Sequence, residues 1–326
     1  MDYKQIIKDA WFLARDDRRL FWWWAFVPAI LSIIVGIGMF MYQVMAFRYS
    51  PIPGTGEEHS GSFMSASVGW IYSFIDTHTS LGIVLIVIAA VLGLVYLAYP
   101  TFAKVALIQL IARIRNGQKV SMIDGITYGA LGFTRLFEYH LLIKTFSVIT
   151  LVTESIFVLR NLGWNAFEII IIPFVLFGIF GLIMMLFLTY TDFYIVIDED
   201  GIIKSMGRSM RLVIRNWRHT LLLLILMLVI TLRIILNIVL VLLVPSLIFL
   251  AAGLIATVTL AKIGILIGAI VGLIALLFAS YFTGILEVFA NAVWVFTFLE
   301  LTEQGEVSAR DKGEGKRSAR DDELVD

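Results

Sequence analysis

Long apolar stretches separated by short polar connections are the dominant pattern of the chain. Segments such as 221–250 and 263–282 reach or exceed the ~20 residues that a helix needs to cross a hydrocarbon core about 30 Å thick. The pattern predicts an all-α, polytopic membrane protein with about six transmembrane helices. The predicted spans are 20–47, 81–112, 137–160, 167–197, 219–251 and 262–300.

The polar connections themselves carry a helical period. Residues 2–15 place apolar side chains on one face of a helix, and residues 204–218 place basic side chains at steps of four and three, opposite an apolar stripe. That apolar stripe consists of Met206, Met210, Val213 and Trp217. We therefore predict three helical hairpins, each preceded by a cytoplasmic, interfacial amphipathic helix that lies on the inner leaflet.

A short sequence motif recurs where the chain returns to the cytoplasmic side of the membrane. Gly117, Gly201 and Gly305 are each followed three or four residues later by Ser. Triplication of a two-span unit is one explanation, and the ordinary alternation of any six-span protein is the other. After the first glycine, Ser121 and Asp124 form a capping-box pattern; after the second, Ser205 is a plausible helix N-cap.

Composition and charge support the membrane interpretation and set an orientation. Apolar residues make up 60% of the chain, charged residues 15%, and the mean hydropathy is +0.93. Lys plus Arg and Asp plus Glu are equal at 25 each, so net charge does not point to nucleic acid. Basic residues concentrate in the terminal segments and in alternate connections, which predicts cytoplasmic termini in a cell membrane. Trp22, Trp23 and Trp24 then fall near the inner boundary.

The predicted domain organisation is simple. Residues 1–302 form a single transmembrane domain, and residues 303–326 form a charged, disordered cytoplasmic tail because almost no apolar residue occurs there. The N-terminus lacks a short apolar region followed by a cleavage site, so we expect it to be retained with the first span as a signal anchor.

A polar cluster is predicted near the membrane midplane. Arg233 on the fifth span and Glu287 on the sixth lie at matched depth, and Asn237 and Asn291 follow each of them by four residues. Ionisable groups at this depth cost about 2.5–3.5 kcal/mol each on insertion scales. The cluster is either a packing ion pair or a polar site for transport or headgroup recognition.

Two other features of the spans suggest helix contacts. Lys104 and Asp192, on the second and fourth spans, lie closer to the inner surface, where a bridge between them is possible. Gly264, Gly268 and Gly272 repeat at four-residue spacing, which permits close helix approach within the chain or between chains.

The sequence offers little chemistry for catalysis. There is no Cys, the four His residues lack zinc-ligand spacing, and neither a P-loop nor GxSxG occurs. We predict no catalytic, cofactor-binding or metal-binding residues. A candidate contact with anionic lipids of the inner leaflet is the basic face of 204–218, which comprises Lys204, Arg208, Arg211, Arg215 and Arg218.

Two segments of the chain resemble known membrane proteins. One is Gly207–Asn216, with the sequence Gly-Arg-Ser-Met-Arg-Leu-Val-Ile-Arg-Asn, and the other runs from Tyr99 and Pro100 to Ile114. They resemble the YciC-like uncharacterised proteins and the membrane domain of some glycerophosphoryl diester phosphodiesterases of prokaryotes. The soluble catalytic domain of those phosphodiesterases has no counterpart in this chain. The resemblance thus implies a multi-pass membrane domain and supplies no activity.

These observations leave three classes of function. The expected one is a non-enzymatic membrane domain for lipid or small-solute handling, or for assembly of partners, with the bilayer and its anionic lipids as partner. The first alternative is a transporter or channel with a polar midplane site at Arg233 and Glu287. The second is an intramembrane enzyme, which the lack of clustered His, Asp or Ser within the spans disfavours.

Overall fold

The computed structural model describes residues 2–48, 69, 72–73, 75–144, 148–230, 232 and 261–322, and the elements within these ranges are all helical. In chain order they are α1 (Tyr3–Asp16), α2 (Arg18–Phe21), a π-helical turn (Trp22–Phe26), α3 (Val27–Arg48), α4 (Thr79–Arg115), α5 (Met122–Lys144), α6 (Val148–Phe187), α7 (Thr191–Val196), α8 (Ile202–Arg215), α9 (Trp217–Ile230) and α10 (Ala261–Asp322).

Several of these helices could cross a membrane. Within the described ranges, three are long and apolar enough: Thr79–Arg115, Leu162–Phe187 and Gly272–Glu303. A fourth results if α8 and α9, which meet at a bend of 96°, are taken as one broken span. The protein is therefore all-α with membrane-spanning potential. The six-span layout remains a prediction, and most of the predicted fifth span (219–251) lies outside the described residues.

Gly163 breaks α6 into two arms. Its φ of +80° and ψ of −179° are non-helical, and a residue with a Cβ rarely adopts such a φ. Leu151, before the break, has its Cδ1 3.9 Å from the position that a Cβ would take on Gly178, after the break. The two arms therefore fold back on one another, at a residue that lies between the predicted third and fourth spans.

The core lies at one end of the molecule rather than along the whole length of the long helices. Residues 103–112 of α4 are mostly buried, whereas residues 81–97 of the same helix expose large apolar side chains. The buried end of α4 packs with α1, α7 and the 288–301 part of α10. The exposed apolar part has the surface expected of a helix in contact with lipid.

Three glycines allow α5 to approach its neighbours closely. A Cβ on Gly125 would lie 2.7 Å from Trp24, one on Gly129 2.8 Å from Phe102, and one on Gly132 2.7 Å from Val105. Phe102 and Val105 belong to α4, so this glycine face seats α5 against α4.

The glycines predicted to pack closely on the last helix are Gly264, Gly268 and Gly272. Among the residues that the structure describes, no atom lies within 4 Å of the position that a Cβ would take on Gly272. The surroundings of Gly264 and Gly268, and most of the predicted fifth span, lie outside the described residues, so close helix approach within the chain stays a prediction. An approach between chains stays a prediction.

The predicted helix starts have mixed outcomes. The capping box is confirmed: the backbone N–H of Ser121 donates to the Asp124 carboxylate over 2.7 Å, and the N–H of Asp124 donates to the Ser121 hydroxyl over 3.3 Å. The N-cap role of Ser205 is wrong. Gly201 is the N-cap of α8, and Ser205 lies buried one turn inside the helix.

The last helix extends further than its apolar span. It runs to Asp322, through much of the segment 303–326 that the sequence predicts as a disordered tail. Glu, Lys, Arg and Ala have high helix propensity, which is compatible with helical backbone in this charged segment.

The glycine face of α5 leads to a test by substitution. We expect Gly132→Ala to lower the free energy of unfolding by about 1–3 kcal/mol, because the new methyl group would overlap the buried, β-branched Val105. Gly207→Ala is the matched control, since Gly207 is helical and exposed, and no atom of the described residues lies within 4 Å of its missing Cβ. The control should be neutral or stabilising by up to about 1 kcal/mol. Thermal unfolding in detergent measures both, and equal melting temperatures would contradict the packing role of Gly132.

Candidate functional site

Three ionisable side chains from three helices meet at the buried end of the molecule, and a fourth, Glu287, interacts electrostatically with one of them. The Lys104 ammonium on α4 donates to the Asp192 carboxylate on α7 over 2.5 Å. His140 Nε2 on α5 lies 3.3 Å from the same carboxylate oxygen. Lys104 also interacts electrostatically with Glu287 on α10. We call Lys104, His140, Asp192 and Glu287 the inner ion cluster.

The short helix α7 positions the acidic centre of this cluster. Its last four residues are apolar or aromatic and all are buried. Asp192 lies in its first turn, and the side chain is only 14% exposed. At its other end, the Val196 carbonyl accepts a hydrogen bond from the Gln109 amide of α4. Two polar side chains of α4, Lys104 and Gln109, therefore hold α7 along its length.

Ser209 of α8 stabilises the break that precedes α7. Its hydroxyl donates to the Phe187 carbonyl over 2.8 Å and accepts the Tyr190 backbone N–H over 3.1 Å. The last carbonyls of a helix and the first N–H groups of the next have no partner within their own helices. One buried hydroxyl satisfies a group on each side, so the chain can end α6 and start α7 in the protein interior.

The sequence predicted part of the inner ion cluster. The Lys104–Asp192 bridge is confirmed. No pattern along the sequence marks His140 as a partner of Asp192. Among the described residues, no group of His, Asp and Glu is arranged to hold a metal ion.

The predicted midplane cluster is described only on one of its two helices. The Asn291 amide donates to the Glu287 backbone carbonyl over 2.9 Å, and Asn291 is buried. Arg233 and Asn237 lie outside the described residues, so the Arg233–Glu287 pair stays a prediction.

The inner ion cluster is suited to joining helices. A carboxylate removed from water costs several kcal/mol unless charged partners and hydrogen bonds compensate for it. Asp192 has two such partners on two different helices, and each contact is available only when α4, α5 and α7 are packed together. The cluster therefore ties the packing of these helices to the pairing of one buried charge.

The five basic residues predicted to contact lipid fall into two groups. Asp200 accepts from Lys204 over 2.6 Å and from Arg208 over 2.5 Å, and Arg208 also lies 2.7 Å from Asp198. The other three, Arg211, Arg215 and Arg218, are exposed and form no ion pair with any residue that the structure describes.

The paired group forms a small ionic network at the start of α8. The hydrogen bond from the Lys204 ammonium, together with the neighbouring Arg208 guanidinium, lowers the pKa of the Asp200 carboxyl below its ordinary value. The Arg208 guanidinium also stacks 4.3 Å from the centre of the Tyr194 ring on α7. Arg135 of α5 donates to the Glu199 carbonyl over 2.7 Å in the same turn. The contacts anchor α8 to the segment that follows α7.

The faces of α8 differ from the prediction in one respect. Ser205, Ser209, Leu212 and Val213 are buried, and Met206 and Met210 pack against the same core. Most of the apolar stripe that we expected to face the bilayer therefore faces the protein. Trp217, which begins α9, stays 56% exposed, and Ile203 and Ile214 are exposed beside the arginines at 85% and 62%.

The inner ion cluster predicts that two Asp→Asn substitutions lower the free energy of unfolding by different amounts. Asp192→Asn should lower the free energy of unfolding by about 3 kcal/mol, because the partly buried Lys104 ammonium loses its counter-charge and His140 loses its carboxylate partner. Asp9→Asn removes the carboxylate of a more exposed pair with Arg115 at 3.5 Å and should cost less than about 1 kcal/mol.

A double substitution separates charge compensation from shape. Lys104→Met with Asp192→Leu should be less destabilised than Asp192→Asn alone, because no uncompensated ammonium remains. Equilibrium unfolding in detergent micelles measures all three variants. A double variant as unstable as Asp192→Asn would contradict the role of the buried charge.

Comparison with known proteins identifies a family and no activity. A family described as a domain of unknown function, DUF7847, matches residues 125–291, slightly more than half of the chain. The match includes His140, Asp192, Glu287 and all of α8, but not Lys104. No curated protein and no solved structure matches the chain. The matched part of this chain holds most of the inner ion cluster and the whole basic helix, and the protein belongs to the DUF7847 family.

Proposed function

We propose that this protein is a non-enzymatic, multi-pass protein of the cell membrane whose helix α8 binds the anionic headgroups of inner-leaflet lipids. The proposal includes six spans in three hairpins, with both termini in the cytoplasm. The observation that carries it is the exposed face of α8 and the start of α9, where three arginines without ion pairs among the described residues stand beside exposed apolar side chains.

Exposed apolar surface supports the membrane location. On α4, Val84, Val87 and Val91 are each more than half exposed, and on α6 Ile169 and Ile172 are 78% and 66% exposed. Soluble monomers rarely expose contiguous apolar patches larger than a few hundred Å². A hydrocarbon environment makes such a surface favourable, and both helices are long enough to cross it.

The orientation of α8 supports an interfacial location. It meets α9 at 96°, so if α9 begins a span along the membrane normal, α8 lies nearly parallel to the membrane plane. One side of α8 is buried against the protein, and Ile203 and Ile214 flank the basic side. An interfacial amphipathic helix buries apolar side chains at the acyl boundary and places basic ones at headgroup level.

Only some of the five basic residues of 204–218 are available to contact lipid. Lys204 and Arg208 are already neutralised by Asp198 and Asp200, so they add little attraction for an anion. Arg211, Arg215 and Arg218 retain their charge for a lipid. Each basic residue near an anionic leaflet contributes about 1 kcal/mol.

The proposal is tested by removing those three charges. The purified protein in neutral detergent should show a higher melting temperature with added phosphatidylglycerol than with phosphatidylcholine. Replacing Arg211, Arg215 and Arg218 by Gln should abolish most of this difference, because the headgroup phosphate loses its cationic partners. Melting is followed by tryptophan fluorescence at low and high salt, since the wild-type effect should weaken with screening.

A control removes equal charge elsewhere. Lys312, Lys316 and Arg317, in the last segment of the chain, are replaced by Gln together. This variant should keep the phosphatidylglycerol effect. An equal loss in both variants would mean that net charge, and not α8, governs the response, and retention of the effect in the α8 variant would refute the proposal.

A further inference from the structure

Two long helices, α4 and α10, each pass from an exposed apolar part into the buried core. On α4, residues 81–97 expose large apolar side chains, whereas residues 103–112 are mostly buried. On α10, residues 272–282 expose large apolar side chains, and residues 288–301 are mostly buried. The surface suited to lipid and the packed core therefore occupy different parts of the same two helices.

Aromatic side chains lie at the level where this change occurs. The Tyr99 hydroxyl of α4 donates to the Trp23 carbonyl over 2.5 Å. The Phe21 ring lies edge-on to Trp22 and to Tyr281 of α10, at centroid distances of 5.3 and 5.1 Å. These contacts tie α4 and α10 to the same π-helical turn. We call Trp22, Trp23, Tyr99 and Tyr281 the aromatic belt.

The aromatic belt has the chemistry of a membrane boundary. Trp22, Trp23 and Tyr281 are each about half exposed. Amphipathic rings such as indole and phenol are enriched where the hydrocarbon core of a bilayer meets its headgroups. Side chains of this kind from the π-helical turn and α10 therefore suit contact with the headgroup region.

Three helices carry one membrane thickness of apolar sequence next to the aromatic belt. Residues 27–47 of α3, 79–99 of α4 and 263–282 of α10 contain no Asp, Glu, Lys or Arg. A helix needs ~20 such residues to cross a hydrocarbon core about 30 Å thick, and each of these segments supplies about that number. In all three helices the segment begins or ends close to the aromatic belt.

The helices continue well past the aromatic belt on its other side. The 37 residues of α4 extend over about 55 Å, whereas a bilayer with its headgroups is about 40–45 Å thick. The part of α4 beyond Tyr99 carries Lys104, Arg113 and Arg115. On α10, Glu287 is the first charged residue after the apolar segment. Placing the apolar segments in hydrocarbon leaves these charged residues outside it.

We propose that the aromatic belt contacts the headgroup region of the bilayer, and that the helical bundle beyond it, with the inner ion cluster, lies outside the hydrocarbon core. Lys104 is five residues past Tyr99 and Glu287 is six past Tyr281, so both lie about 8–9 Å beyond the belt along their helices. Glu287 is then close to the headgroups rather than near the midplane. This inference rests on the proposed membrane location but not on the lipid contact of α8.

The depth of single positions on α4 tests this boundary. Because the chain contains no Cys, Val91→Cys and Leu97→Cys each provide one site for a nitroxide label. Both side chains are about half exposed, so labels there should disturb the packing little. The labelled full-length protein is reconstituted in phosphatidylcholine vesicles. The relative accessibility of each nitroxide to oxygen and to a polar nickel complex gives its depth.

The two positions of the boundary predict opposite results on α4. A span over 79–99 has its centre near Ala89, so the Val91 label should be about 9 Å deeper than the Leu97 label. The span 81–112 expected from the sequence has its centre near Leu97, which would then carry the deeper label. A Leu97 label as deep as the Val91 label, or deeper, would overturn the proposal.

A second pair of labels tests the same boundary on α10. Ile274 and Phe278 are each about half exposed and lie about one helical turn apart. With the boundary at Tyr281, the Ile274→Cys label should be about 6 Å deeper than the Phe278→Cys label. The expected span 262–300 would reverse this order because its centre is near Tyr281. The reversed order would refute the boundary even if one α4 variant failed to fold.

The result is separate from the test of α8. Phosphatidylcholine carries no net charge, so the depths do not depend on an attraction between α8 and anionic lipids. The expected depths together with a lost phosphatidylglycerol effect would support this inference and refute the contact of α8. Labels at Val91 and Leu97 that both meet the nickel complex as freely as a label in water would refute the membrane location, and this inference with it.

Discussion

The need to compensate the buried Asp192 carboxylate is the constraint on which the inner end of this protein depends. Its two partners, Lys104 and His140, come from helices that are distant from α7 along the chain. The pairing therefore forms only when α4, α5 and α7 are assembled, and a charge without partners in this interior would cost several kcal/mol. The contact is thus both a source of stability and a check on correct assembly.

The consequences of that constraint extend along the chain to the surface. Once α7 is fixed, the residues that follow it place Asp198 and Asp200 beside the start of α8. These carboxylates neutralise Lys204 and Arg208 and anchor α8, while Ser209 holds its other side against the break before α7. Arg211, Arg215 and Arg218 are left at the surface. The surface charge that could meet a lipid therefore follows from the placement of α7, the element that immediately precedes α8.

The helical fold, one helix cap and one ion pair between helices could be predicted from the sequence. Apolar runs of membrane-spanning length, the capping box at Ser121 and Asp124, and the bridge between Lys104 and Asp192 all follow from local patterns or from depth along a helix. Other features could not be found in this way. Gly125, Gly129 and Gly132 seat α5 against its neighbours, but a spacing of four and three residues alone does not show which helix face is in contact.

The sequence by itself determined the helical secondary structure and the presence of helices apolar enough to span a membrane, because hydropathy and helical period are summed over neighbouring residues. Tertiary structure alone decided which polar groups meet. His140 joins Asp192, and Lys204 and Arg208 are separated in role from the three arginines that follow, because helix rotation and the breaks at Gly163 and before α7 bring distant residues together.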